Sequence, residues 1–479
     1  MQREGRQRLT AVLLFLLAAC SSGPRGELTQ GARPAEPAVA EAWRLTAISP
    51  IGQPEAAGDV VVVYGPVNQD LYLYGVSVAD GTIRWRQLAS PSLVVPGIPV
   101  TPAVLDGRVA YFRPDPVEPL SARLVVASPD TGADVMVSQP FRFRSRPGRC
   151  SDGKDICLMA TGGTRGERPL RFSVEAGGLV PDPGAPPIDS RRVGHELLDL
   201  GGRQPEILAG FKDGAVRWQT PLSTYFPPEY STDYGWRFVP FAEAGAHVGS
   251  VGRPADHNDA SAVVFDLSNQ RTVAIRDTDG APVWQSAGTS VLCDSKIEAY
   301  REVADKRLEP WPVRCRYQGT RRYDKATKTT SYQGLAVTIE GFDVATGQTT
   351  WSHSLGAAEQ LMPAEVNATT VTDPEVLVPS ATGPVIIRLD TGATRTPAGG
   401  EAFWCAKTGR FTFRESIVFS DGRSSNSWRG GTLLRACAAD GSPTTATPRR
   451  IARSLGATVA DRAVVATERG LVAYDRQGR

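Results

Sequence analysis

The chain is poor in the residues that catalytic and metal centres use. Its 479 residues contain four histidines and no pair of cysteines at the CxxC spacing of zinc sites. The motifs HExxH and GxSxG, the P-loop and a strand-linked GxGxxG do not occur. The polar stretch Ala255–Ser261 could offer oxygen atoms to a cation, but it fits an ordinary loop better. The sequence therefore predicts a protein that is not an enzyme, with no catalytic residue, no metal and no cofactor.

A large excess of charge of either sign is also missing. There are 53 lysines and arginines against 51 aspartates and glutamates, which gives a formal net charge of +2. The densest basic block, Arg321–Lys328, is short and mixed, and we interpret it as a solvated loop. Because nucleic-acid binders carry extended basic surfaces, nucleic acid is not an expected partner.

Long apolar runs are missing too. A helix needs about 20 apolar residues to span a bilayer, and no apolar run in the chain is that long. At the N-terminus, Arg3, Arg6 and Arg8 precede the short apolar stretch Leu9–Ala19. This order is typical of a secretory signal. We therefore predict that residues 1–19 are a signal peptide and that the protein lies outside the cytoplasm.

The stretch LAAC, Leu17–Cys20, resembles the lipobox of bacterial lipoproteins. The resemblance implies that Cys20 becomes the first residue and carries acyl chains such as palmitate, which together anchor stably. The alternative is a plain secretory signal. Residues 20–41 are rich in Gly, Pro, Ala and Glu without an apolar period, which predicts a flexible tether. We expect a monomer held on the extracytoplasmic side of a cell membrane, periplasmic or at the cell surface according to the host.

Six further cysteines follow, and an even number in an exported chain indicates disulfides. Although 15 pairings are possible for six cysteines, the order along the chain favours local bridges. The expected pairs are Cys150–Cys157, Cys293–Cys315 and Cys405–Cys437.

A Trp placed four residues after a turn Gly recurs along the chain, as in FDVATGQTTW, Phe342–Trp351. The four copies are Gly81/Trp85, Gly214/Trp218, Gly280/Trp284 and Gly347/Trp351. Weaker copies keep the turn without the Trp, at Gly132, Gly177, Gly392 and Gly441. Runs that alternate apolar with other residues precede these turns, which indicates strands. A repeat of this size predicts a solenoid or propeller, with each Trp packed between neighbouring sheets.

The two ends of the folded region complement each other. The last unit stops soon after its final turn, whereas Glu41–Ile48 looks like the missing strand, with Trp43 in the Trp position. We predict that this N-terminal strand completes the last blade and so removes free sheet edges.

These copies resemble the repeat of the quinoprotein-type (PQQ-like) β-propellers, the family of the pyrroloquinoline quinone dehydrogenases and of the outer-membrane assembly lipoprotein BamB. The resemblance covers residues 42–479. It implies an all-β fold, a β-propeller of about eight four-stranded blades, with seven to nine allowed by the turn count.

The expected function is a non-catalytic binding or scaffold module for a protein or an envelope component. A quinone-dependent dehydrogenase is one alternative, although the adjacent cysteines typical of those enzymes are missing. A BamB-like role in outer-membrane protein assembly is another, if the host has an outer membrane.

Two long segments interrupt the repeat in the sequence. The first, residues 223–249, is rich in aromatic residues and is the candidate partner-binding segment, because Tyr and Trp are favoured at interfaces. Its candidate contact residues are Tyr225, Phe226, Tyr230, Tyr234, Trp236 and Phe238. The alternative is that these rings fold back onto the sheets. The second segment, residues 290–334, holds one expected disulfide and is interpreted as a surface excursion.

Overall fold

The computed structural model describes only part of the chain. The described residues are 40–91, 100–118, 121–143, 145–150, 155–161, 167–180, 191–194, 197–199, 206–212, 215–291, 300–302, 308–357, 375–418, 424–448, 456–459 and 461–475. They fold into β-strands joined by turns, with no α-helix among them. Within these ranges, no helix is long and apolar enough to cross a bilayer. Cys20 and the rest of the expected signal and tether up to residue 39 lie outside the described residues, as do Cys293 and Gly214.

The described strands are numbered along the chain and form eight sheets, within which neighbouring strands are hydrogen-bonded. From one edge to the other, sheet 1 is β2 (Glu55–Ala57), β3 (Val60–Val67), β4 (Asp70–Ser77) and β5 (Ile83–Ala89). Sheet 2 is β13 (Gly178–Val180), β12 (Glu167–Ser173), β11 (Ile156–Thr161), β9 (Asp134–Phe143), β8 (Ala122–Ala127), β7 (Arg108–Pro114) and β6 (Ala103–Leu105), with β10 (Gly148–Arg149) beside β11. Sheet 3 is β14 (Arg191–Gly194), β15 (Leu197–Asp199), β16 (Ile207–Lys212) and β17 (Ala215–Pro221). Sheet 4 is β18 (Trp236–Phe241), β19 (Ala246–Val251), β22 (Arg271–Arg276) and β23 (Pro282–Ala287).

The remaining four sheets, like sheet 2, have more or fewer than four strands. Sheet 5 is β20 (His257–Asn258), β21 (Ala262–Asp266), β27 (Val313–Asp324), β28 (Thr329–Phe342) and β29 (Thr349–Gly356), with β24 (Thr289–Ser290) beside β27. Sheet 6 is β25 (Tyr300–Glu302) and β26 (Leu308–Pro310). Sheet 7 is β30 (Glu375–Val378), β31 (Val385–Arg388) and β32 (Thr394–Arg395). Sheet 8 is β1 (Glu41–Leu45), β37 (Gly470–Asp475), β36 (Arg462–Thr467), β34 (Ser424–Cys437) and β33 (Phe403–Val418), with β35 (Ala457–Val459) beside β36. Short 3-10 turns cover Leu222–Thr224, Thr232–Tyr234, Ala242–Ala244 and Leu267–Asn269.

Tryptophans connect successive sheets in the same way at five joints. Each ring packs on the turn glycine of the next sheet, and its indole N–H donates to the carbonyl three residues before that glycine. Trp85 of sheet 1, for example, packs on Gly132 of sheet 2, and its Nε1 donates to Pro129 O at 2.6 Å. The other pairs of ring and glycine are Trp43/Gly81, Trp218/Gly280, Trp284/Gly347 and Trp351/Gly392.

The turn glycine serves two purposes at such a joint. In FDVATGQTTW, Gly347 has φ +71°, which side-chain-bearing residues rarely adopt, and a Cβ there would lie 2.5 Å from the ring of Trp284. Asp343 Oδ1 closes the turn by accepting from Thr346 N and Oγ1, both at 2.8 Å. The repeated sequence is thus a turn and a socket for the preceding sheet's Trp.

The N-terminal strand pairs with the last one. β1 runs antiparallel to β37, with Trp43 opposite Ala473 and Leu45 opposite Leu471. Trp43 then reaches sheet 1, where its Nε1 donates to Val78 O at 2.8 Å. Sheet 8 therefore contains both the first and the last described strand.

Two of the expected disulfides are present among the described residues, Cys150–Cys157 and Cys405–Cys437. Cys315 is also disulfide-bonded. Cys405 and Cys437 are fully buried against Leu377, Ile386 and Phe403, so this bridge is part of an apolar core.

Both interrupting segments contain strands of the sheets. The first ends in two strands: β18 and β19, joined through Gly245 at φ +60°, are two of the four strands of sheet 4. Most of the described second segment is also regular, because β27 and β28 form a long hairpin that belongs to sheet 5. The extra material lies at the tip of that hairpin and in residues 252–270, between β19 and β22.

Candidate partner-binding site

The most distinctive surface joins the tip of the β27–β28 hairpin to the excursion from sheet 4. In residues 252–270 the chain forms β20 and β21, and β21 pairs with the tip of β27 from Ala262/Asp324 to Asp266/Thr320. A bulge between Gln318 and Thr320 separates this tip from the base of the hairpin. We call β20, β21, residues 320–324 and residues 329–333 the outer sheet.

One face of the outer sheet is aromatic. Side chains alternate between the faces of a sheet, so rows of directly opposed residues share a face. The first row is Val263, Tyr323 and Thr330, and the second is Phe265, Arg321 and Tyr332. These six residues line a shallow groove of about 290 Å³. Tyr323 is 37% exposed, whereas Phe265 and Tyr332 are half-buried against the core of sheet 5.

Arginine accompanies the aromatic rings in the groove. The Arg321 guanidinium carbon lies 4.4 Å from the centroid of the Phe265 ring, a cation–π contact that holds the cation over the groove. Arg322 is exposed on the opposite face, and Lys328 is exposed in the turn beside it. Throughout the described part of the chain, no carboxylate lies within ion-pair distance of any of these three cations. The tip of the hairpin is therefore a positively charged surface.

The acidic groups nearby close turns and stay ionised, and Asp324 also interacts electrostatically with Arg322. Asp324 Oδ1 accepts from Thr327 N at 2.8 Å and Ala326 N at 3.0 Å, and the Thr327 hydrogen bonds hold the pKa of this carboxyl below its usual value. Hydrogen bonds from His257 and Ser261 likewise lower the pKa of Asp259. Across the described residues there is no cluster of His, Cys, Asp or Glu that could hold a metal ion. Within the polar stretch Ala255–Ser261, Asp256 accepts from Asp266 N, and Lys325 donates to Asn258.

A buried ionic cluster fixes the base of the same hairpin. Glu340 accepts from Arg314 Nε at 2.9 Å and from Arg316 Nε at 2.6 Å, and the side chains of Arg314 and Glu340 are 2% and 5% exposed. Burial by itself would raise the pKa of Glu340, but the hydrogen bonds from both arginines hold it below its usual value. Arg316 also donates to Ala287 O of sheet 4 at 3.0 Å. The cluster therefore orients the hairpin relative to sheet 4, from which the chain leads into β20 and β21.

The six aromatic residues of the predicted binding segment divide into two groups. Tyr225, Phe226, Tyr230 and Phe238 are 1–7% exposed and form one core cluster with Trp218, Leu208 and Val273. Tyr225 Oη donates to Gly280 O at 2.5 Å, and Tyr230 Oη donates to Asn269 O. Tyr234 and Trp236 are 56% and 37% exposed. The folding-back alternative therefore describes the first four rings, which are too deeply buried to contact a partner in this structure.

Sequence reasoning did not find the outer sheet. Two features of the sequence indicated it. AVVFD and TTSYQG alternate as strands do, and 19 residues connect β19 to β22, where a short turn would be enough. Neither stretch shows that the two excursions pair with each other. That information lies only in the three-dimensional structure.

No protein-family model matches the chain, and no curated protein matches it. Among solved structures, the chain is similar to BamB from Moraxella catarrhalis, with 15% identity over 70% of this chain and 82% of that one, at a TM-score of 0.31. It is also similar to a europium-containing methanol dehydrogenase, with 12% identity over 91% and 77% of the two chains, at a TM-score of 0.30. A third is the β-propeller domain of the Trilobed protease from Pyrococcus furiosus, with 10% identity over 81% and 95%, at 0.28. At these scores, any assignment rests on the chain's own residues.

Proposed function

We propose that the chain is an exported, lipid-anchored β-propeller of about eight blades that binds a protein or another envelope component without catalysing a reaction. The single observation that carries the binding role is the outer sheet. Two excursions from neighbouring sheets pair with each other there and present aromatic rings and cations that have no ion-pair partner among the described residues. Aromatic residues and Arg are enriched at interfaces between proteins.

The propeller assignment is supported by the joints between sheets. Each of the five tryptophans contacts the next sheet in chain order wherever both partners are described, with the same hydrogen bond at 2.6–3.1 Å. The pairing of β1 with β37 also places the ends of the repeat in one sheet, as radial repetition requires.

The binding role is tested by site-specific photo-crosslinking in living cells. A photoreactive phenylalanine at Tyr323 is expected to give a discrete protein adduct, because that ring is at the open side of the groove. The same group at Val117, which is 81% exposed outside the outer sheet, is the matched control and should give none. A third variant at Trp236 examines the exposed remainder of the sequence-predicted segment. Equal labelling at Val117 and Tyr323, or no adduct at Tyr323, would contradict the proposal.

The anchor is tested separately. Cys20→Ala is expected to move the protein from the membrane fraction to the soluble extracytoplasmic fraction, because it removes the residue that would be acylated. Cys150→Ala serves as the control, since it removes a cysteine without touching the expected lipobox. Retention of the Cys20→Ala protein in the membrane fraction would mean that the lipobox assignment is wrong.

A further inference from the structure

We infer that the tip of β28 is an open edge to which an extended, acidic segment of a partner protein adds as a further strand. The inference rests on the proposed binding function and specifies the partner's chemistry. Its structural basis is the end of the β28–β29 pairing. β29 pairs with β28 only from Val337, opposite Gly356, to Phe342. Among the described residues, residues 329–336 of β28 therefore have a neighbour on the β27 side only.

The register shows which backbone groups are open. Lys325 N donates to Ser261 O at 2.8 Å, so odd-numbered residues of the β27 tip point their N–H and C=O groups towards β21. Even-numbered residues then point towards β28, where Arg322 lies opposite Ser331. The backbone groups of Thr330 and Tyr332 accordingly face away from β27, at the open edge. Four hydrogen-bonding groups in a row form a template for an added strand.

The charge at the tip indicates which segment would fit. Arg321 and Arg322 lie on β27, directly across from Tyr332 and Ser331, and Lys328 is in the adjoining turn. One arginine projects on each face of the sheet, because adjacent residues of a strand alternate. On the groove face, the Arg321 guanidinium lies over Phe265 of β21, away from the open edge. On the opposite face Arg322 is exposed, and Lys328 is exposed in the turn that precedes β28. Carboxylates on the Arg322 face of the incoming strand complement this arrangement, whereas lysines would be repelled.

The groove supplies the apolar part of the contact. Tyr332 belongs both to the open edge and to the groove, where it lies beside Phe265 and Tyr323. Apolar side chains of the added strand that point to this face would extend the aromatic surface. The predicted ligand is therefore an extended peptide that combines carboxylates with apolar residues.

The test uses the full-length protein and fluorescein-labelled octapeptides, with binding followed by fluorescence anisotropy. A peptide alternating Val and Glu is the probe, and a peptide alternating Val and Lys is the matched control. We expect the Val–Glu peptide to bind at least about tenfold more tightly than the control, a difference that shrinks at high salt. Binding of both peptides with equal affinity would overturn the inference.

Variants separate edge pairing from charge. Thr330→Pro removes one N–H from the open edge without removing a bond of the hairpin, and it should abolish binding, whereas Thr330→Ala should retain it. Arg322→Glu combined with Lys328→Glu should reverse the preference between the two peptides. As a second measurement on the unaltered protein, amide hydrogen exchange of residues 329–336 should slow when the Val–Glu peptide binds. Unchanged exchange there, or undiminished binding by Thr330→Pro, would overturn the added-strand geometry.

The outcomes also distinguish this inference from the broader function. If Tyr323 crosslinks a partner in cells while the Val–Glu peptide fails to bind, the binding function stands and the acidic-strand inference is wrong. If a photoreactive group at Tyr332 instead crosslinks to residues 358–374 of the same chain, the edge is occupied by the protein itself and the inference is wrong.

Discussion

Two long hairpins of this protein differ in what they contact. The β27–β28 hairpin leads outwards to the outer sheet, where Tyr323 is 37% exposed. The β33–β34 hairpin packs inwards: Phe411 and Trp428 are 3% and 1% exposed and belong to the core cluster of sheet 1. Similar strand lengths therefore give an exposed surface in one case and a core in the other.

Glycines at the contact account for the difference. Gly409 and Gly430 lie against the main chain at Ile51, where a Cβ on either would lie within 2.0 Å of the Ile51 carbonyl oxygen. The β33–β34 hairpin can therefore approach sheet 1 closely enough to bury its rings. In the β27–β28 hairpin, Gly334 has no atom within 4 Å of its Cβ position, and φ +61° gives it a conformational role instead. Hairpin length alone thus does not indicate a surface, and what matters is whether the hairpin contacts a neighbouring sheet.

The largest expected effect comes from truncating one ring on each hairpin. Trp428→Ala should lower the free energy of unfolding by about 3–5 kcal/mol, because a buried ring leaves a cavity. Tyr323→Ala should change it by less than about 0.5 kcal/mol, because the ring is partly exposed. Urea denaturation monitored by circular dichroism measures both. Similar losses for the two variants would remove the distinction between the hairpins.

Glu340→Gln tests whether the base of the outward hairpin is stabilised by its ionic cluster. Removing the carboxylate leaves Arg314 charged and buried, which should cost about 3 kcal/mol of unfolding free energy. Asp59→Asn, which removes the exposed partner of Arg84, is the control and should have little effect.

The same cluster predicts a pH dependence of stability. The pKa of Glu340 is lower in the folded than in the unfolded protein, so its contribution is present above the unfolded value of about 4.3. It is lost as the pH falls through the folded pKa. Unfolding measured between neutral pH and about pH 3 should therefore show a smaller acid dependence for Glu340→Gln. An unchanged acid dependence would mean that the cluster does not stabilise the fold.

The smallest expected effect distinguishes the two kinds of glycine. Gly430→Ala should destabilise by about 1–3 kcal/mol, since its Cβ would overlap the Ile51 main chain. Gly334→Ala has open space around it and should cost only about 1 kcal/mol, from the positive φ. Thermal denaturation of the two variants provides the comparison. A larger loss for Gly334→Ala would contradict the close-contact explanation.

Much of the architecture could be predicted from the sequence because the information is local. Alternation indicates strands, and Thr-Gly and Asp-Gly turns mark where strands reverse. The Trp spacing repeats because each unit must present the same ring to the next one, and Trp85 and Trp351 do so in the structure. The pairing of β1 could be inferred because a strand was missing at one end and an unassigned one was present at the other.

The candidate site could not be predicted in the same way. The aromatic density of residues 223–249 suggested a surface. In the structure, WRFVPF and AHVGSV are the paired strands β18 and β19. The rings of Phe238 and Phe241 enter two different cores, on opposite faces of sheet 4. Conversely, the pairing of Val263 with Tyr323 depends on two sheets placing their excursions side by side. Such long-range pairing has no short-range sequence signal.

The union of the first and last strands in sheet 8 also constrains when the protein can fold. Gln53 Oε1 accepts from Ala466 N at 2.9 Å, across 413 residues of chain. During synthesis, β1 emerges first and has no partner until β37 follows. The entropic cost of closing a loop grows only slowly with its length. Contacts between residues so far apart in the chain nevertheless slow folding. In the exported protein that we propose, this order of events would delay the pairing of β1 until β37 has crossed the membrane.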